Sequence, residues 1–176
     1  IAAVAKRYDN DPRVWSVEVL GHNFNEFGEE MHAPSVEEMK PYGWSSDKVL
    51  VCWKDIINRY DELFPTKKLI LVVSQTYRGA DDLPLPIAEY FVQKCGGRAI
   101  LMSHQLTGYE DRVAFGPKIC QKLSAHAPNA HETSDSFKEA PERQGSAAMT
   151  VYNFVQCGNP LFLQLFRRDA NDARYA

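Results

Sequence analysis

Polar and apolar residues alternate along Val14-Trp15-Ser16-Val17-Glu18-Val19-Leu20, with β-branched valines recurring, so this segment predicts a strand. A stretch rich in Gly, Asn, Glu and Pro then runs from Gly21 to about Ser46 and predicts a long loop. Beyond it, Val49, Leu50, Trp53, Ile56, Ile57, Tyr60, Leu63 and Phe64 recur at helical spacing and form one apolar face. Ser46 and Asp47 supply a cap and a favourable N-terminal charge for that helix, and Pro65 stops it. Lys68 to Ser74 is a continuous apolar run, the pattern of a strand covered on both faces.

The same alternation of strand and helix continues. A helix opens after Leu83-Pro84-Leu85-Pro86, carries Ile87, Tyr90, Phe91 and Cys95, and ends at Gly96-Gly97. Arg98 to Ser103 is the next strand, followed by a weaker helix from about Pro117 that carries Ile119, Cys120 and Leu123. Ala130 to Ser134 is assigned as a short strand mainly by its place in the order. A helix from about Glu142 to Cys157 ends at Gly158, and Leu161 to Phe166 forms a last buried strand.

After the first strand, the strand starts recur about every 30 residues, the length of one strand-helix unit. Strands alternating with helices imply a parallel sheet with right-handed crossovers. The expected fold class is therefore α/β, in a single domain spanning residues 1–176. Five strands are too few for a closed (β/α) barrel, which takes eight strands and about 250 residues. A half-barrel and an open doubly wound parallel sheet both fit the periodicity. The opening Ile1 to Tyr8 reads as the tail of a helix already under way, as in a piece of a longer chain.

Composition narrows the chemistry. Apolar residues make up 44% and charged residues 24%, and the net charge is −3, so neither nucleic acid nor an anionic membrane surface is an expected partner. No apolar run approaches the length of about 18 residues that a membrane span needs. Cys52, Cys95, Cys120 and Cys157 are widely spaced and are expected to be buried free thiols rather than zinc ligands or disulfides. Dinucleotide and phosphate loops are absent, as is a Gly-x-Ser-x-Gly elbow. His22, His32, His104, His126 and His131 show no paired metal spacing, and Gly28-Glu29-Glu30-Met31-His32 lacks the regular oxygen ligands of a calcium loop. No metal and no cofactor is expected.

Lys6-Arg7-Tyr8-Asp9 and Asp11-Pro12, followed by the strand Val14 to Leu20, resemble the approach to the fourth barrel strand of glycoside hydrolases. The resemblance is to the large clan of retaining enzymes whose catalytic glutamates follow the fourth and seventh strands. It implies a half TIM barrel in which the five strands here are the fourth to the eighth. It also implies an Asn-Glu pair beyond the fourth strand, for which Asn25-Glu26 is the matching dipeptide, with Glu26 as acid/base. Glu18 within the strand and Glu29 and Glu30 in the expected loop compete for that role. The seventh strand would supply the nucleophile, and His131-Glu132-Thr133 offers Glu132.

Such chemistry needs one carboxyl group to protonate the leaving oxygen and a second to attack the anomeric carbon, from opposite sides of the bond. A barrel gathers strand ends at one face, where residues 26 and 132 would meet. His22, Asn25, Trp44, Tyr77 and His104 are the candidate substrate contacts, because flat rings and amides near strand ends suit a sugar. Tyr109 and Phe137 share that placement, although packing is the commoner role for any single ring. The expected ligand is a carbohydrate. A half-barrel would also leave two open strand edges, which invite pairing with a second copy as a homodimer. The alternative function is a catalytically silent half-barrel that self-associates or binds carbohydrate weakly.

Overall fold

The computed structural model describes residues 1–21, 35–73, 79–108, 115–133 and 144–164. Five strands, β1 (Ser16–Glu18), β2 (Lys68–Val72), β3 (Ala99–Leu106), β4 (Asn129–Thr133) and β5 (Pro160–Gln164), form one parallel sheet in the order β1-β2-β3-β4-β5. The described helices are α1 (Ala2–Tyr8), α2 (Val36–Met39), α3 (Ser46–Leu63), α4 (Pro84–Cys95), α5 (Phe115–Leu123) and α6 (Ala147–Gln156). None of them is long and apolar enough to cross a membrane. The chain divides into two compact units, Ile1–Ile100 and Leu101–Ala176, with the division inside β3.

The first unit is organised by α3. Its cap is Ser45, whose extended backbone lets Oγ accept from the Lys48 N–H at 3.3 Å, so Ser46, the cap expected from the sequence, is the first helical residue. Val49, Trp53, Ile57 and Tyr60 form the buried stripe, and Phe64 at the C-cap is also buried. Cys52 lies off that stripe and is exposed, unlike the buried thiols Cys95, Cys120 and Cys157. The α4 helix begins at Pro84, earlier than the proline-rich pattern implied, because a proline in the first turn has no intrahelical N–H bond to lose.

Buried polar contacts tie the start of this unit to β2. The Asp9 carboxylate accepts from the Thr66 backbone N–H at 3.1 Å, and Lys67 Nζ donates to the Asp11 carbonyl at 2.8 Å. At the C-terminal end of α3, Arg98 pairs with Asp61 and donates to the Phe64 carbonyl at 2.6 Å. Gly21 follows β1 where a Cβ would come within 2.5 Å of the Trp53 ring, so the indole occupies the space a side chain would need.

The second unit packs α6 on β4 and β5. The helix expected from about Glu142 is interrupted in the structure: Gly145 takes φ of 78°, and α6 starts only after Ser146, whose Oγ accepts from the Met149 N–H. Beside it, Gly108 approaches Ser146 so closely that a Cβ would lie 2.1 Å from the Ser146 carbonyl oxygen. The last strand differs from its expectation as well. No residue of β5 is fully buried, because it pairs with β4 alone among the described strands.

Candidate functional site

Side-chain alternation along β4 decides what each residue meets. Asn129, His131 and Thr133 are fully buried, with His131 edge-on to Phe154 of α6, ring centroids 6.0 Å apart. Asn129 Nδ2 donates to the Cys157 carbonyl at 2.9 Å, at the end of the same helix. Ala130 and Glu132 therefore point to the opposite face, away from α6. Glu132 is the penultimate residue of β4, at its carboxyl end.

Two neighbouring strands bring polar groups to Glu132. In register, Glu132 stands opposite Gln164 of β5, and Gln164 Nε2 donates to Oε1 at 3.2 Å. On the other side His104 of β3 places Nε2 3.6 Å from Oε2, an ion pair when the imidazole is protonated. The His104 and Glu132 side chains retain 31% and 23% of their exposure, so a ligand in solution can reach them. A carboxylate held by a hydrogen-bond donor from one flanking strand and an imidazole from the other is oriented for nucleophilic, general-base or ligand-binding work.

His131 belongs to the core instead. Its Nε2 lies 2.9 Å from Asn129 Oδ1, and since the Asn129 amide donates elsewhere, Nε2 carries the proton. Burial pushes its pKa down to about 4, so the ring is neutral. Nδ1 is buried and has no hydrogen-bond partner among the described residues.

Of the residues singled out from the sequence, the structure brings together Glu132 and His104. Trp44 lies in the first unit, half-buried, immediately before the Ser45 cap of α3, so it precedes a helix rather than following a strand. Glu18 is the exposed last residue of β1, in register with Ile70. His22, Asn25, Glu26, Glu29, Glu30, Tyr77, Tyr109 and Phe137 lie outside the described residues.

Gln164 was not singled out, yet a signal for it existed: it sits one strand-helix repeat after Glu132, at the matching point of the next strand. Among the described residues no three His, Cys, Asp or Glu side chains cluster as a metal site. Compared with protein-family models, curated proteins and solved structures, the chain matches none.

Proposed function

We propose that the chain is a glycoside-hydrolase-like protein, the C-terminal half of a (β/α)8 barrel, with Glu132 as nucleophile and Glu26 as acid/base. The observation that carries the reading is the position of Glu132: at the carboxyl end of a parallel strand, on the face turned away from α6, between Gln164 and His104. Barrel enzymes collect their reacting groups at that end of the strands. The strand order supports the same architecture. A doubly wound sheet reverses its order at a switch point, whereas β1 to β5 run in sequence without reversal.

In this reading Glu132 attacks the anomeric carbon as Glu26 protonates the leaving oxygen. Water then hydrolyses the glycosyl-enzyme bond with Glu26 acting as base. Retention requires the two carboxyl groups to stand about 5 Å apart. His104, with His22, Asn25, Trp44 and Tyr77, would hold the sugar. Hydrolysis of chromogenic glycosides tests the proposal: Glu132→Gln should lower the rate by at least about a thousandfold while leaving the fold intact. An unchanged rate removes Glu132 from the chemistry.

Exposed apolar residues favour a second reading, a catalytically silent half-barrel that self-associates or weakly binds carbohydrate. Trp15 and Leu20 flank β1, Leu161 lies on β5, and all three are exposed. Sugar binding without turnover by the wild-type chain would select this reading over the first.

A further inference from the structure

The α6 helix buries little of its apolar surface. Thr150 is its one buried residue among the ten, and its hydroxyl donates to the Ser146 carbonyl at 3.0 Å and lies 3.2 Å from the Gln144 amide. Facing outward are Val151, Tyr152 and Val155, at 53%, 56% and 57% exposure. They span one turn and form a contiguous apolar surface on the helix. The helix packs on β5, where Leu161 is also exposed.

Charge separates this face from the outer side of α3 and from the surroundings of β1. From Gln144 to Gln164 the sequence contains no Asp, Glu, Lys, Arg or His. An ordinary solvated helix looks like α3, which exposes Asp47, Lys48, Asp55, Arg59 and Glu62. The apolar residues beside β1 are likewise interspersed with exposed Lys6, Arg7, Arg13 and Glu18. In an isologous contact each patch meets itself across a two-fold axis, so a charged patch near that axis meets like charge. The uncharged α6–β5 face carries no such penalty.

The backbone adds a directional requirement. The strand β5 pairs with β4 on one side, and among the described residues no strand pairs its other side. Pro160 lacks an N–H, so the open ladder runs over Leu161 to Gln164. Two copies related by a two-fold axis beside β5 would present these edges to one another antiparallel, the more stable pairing.

We propose that the α6–β5 face is a homodimer interface, occupied by the same face of a second copy of this chain. The proposal rests on the self-association reading above and names its surface. Light scattering coupled to size exclusion on the full chain should give twice the 20.0 kDa chain mass at micromolar concentration. Val155→Glu and Val155→Lys alter an exposed position, and each should weaken the dimer about a hundredfold by setting like charges opposite one another. Mixing the two variants should restore the dimer, which a folding defect would not allow. Val51→Glu, on the exposed side of α3, should leave the mass unchanged.

A dimer that persists in both Val155 variants overturns the assigned surface while self-association stands. A wild-type monomer at every concentration overturns both.

Discussion

The helices α3 and α6 both start from a serine cap, yet they solve opposite problems. Beneath α3 lie Trp53, Ile57 and Tyr60, and the charges point outward. Beneath α6 the buried groups are largely polar: Thr150 and Gln144, then Asn129 and His131 of β4. Gln144 Nε2 also donates to the Leu106 carbonyl at 3.1 Å, and the Gly108 N–H donates to the Gln144 backbone carbonyl at 2.8 Å, so one buried residue ties the end of β3 and the segment after it to the start of α6. Apolar burial is non-directional and grows with area, whereas a buried hydrogen-bond network holds only in one geometry. The first unit thus draws more of its stability from area, and the second more from buried polar pairs.

The largest expected effect tests the apolar side of that contrast. Trp53→Ala should cost about 3–5 kcal/mol in urea unfolding, because it empties a fully buried site. Val151→Ala on α6 should stay within about 0.5 kcal/mol in a monomeric background, since nothing buried is removed. Comparable costs for the two substitutions would erase the distinction.

Acid should act on the second unit. The folded pKa of His131 is about 4, below the ordinary histidine value of 6.5, so the unfolded chain binds the proton more readily between those two values. Stability should therefore fall as pH drops from about 6.5 to 4, by about 3 kcal/mol, and this group should cost nothing further below that. His131→Gln should flatten that part of the pH profile, as read by urea midpoints. An identical slope in the variant would assign the acid response elsewhere.

The smallest effect concerns the caps. Ser45→Ala and Ser146→Ala should each cost about 1 kcal/mol, with the Ser146 loss the lesser because its bond to the Met149 N–H is longer, 3.5 Å against 3.3 Å. Thermal melts of the two variants check the order.

Where the sequence was legible, one physical signal was present alone. The runs at Lys68 and Arg98 are continuously apolar and locate β2 and β3 within a residue at their starts. Around α3 the 3.6-residue stripe is unbroken, and four of its members are the helix's buried residues. Periodicity reports which residues share a face but not which face is inside, and on α6 the apolar Val151, Tyr152 and Val155 lie outward. The seven-residue alternation expected at β1 narrows to a paired strand at Ser16–Glu18, with single backbone bonds to β2 from Trp15 and Val19 on either side.

The candidate site was legible at Glu132 and His104, since both follow from strand order. Gln164 was the one polar residue of the expected strand Leu161 to Phe166, and its spacing from Glu132 was its only signal. The sequence around His22, Asn25 and Glu26 has no hydrophobic periodicity, so neither strand spacing nor a helical face predicts where it lies.

The placement of the three tryptophans, Trp15, Trp44 and Trp53, has an optical consequence. All lie in the unit ending at Ile100, and the sequence from Leu101 onward contains none. Indole emission therefore reports on the first unit alone. Trp53, enclosed against Gly21, should dominate its blue edge, and exposed Trp15 its red edge. Far-ultraviolet circular dichroism, by contrast, records both units. A denaturation followed by both signals would show directly whether the two halves of the chain melt as one cooperative body or in succession.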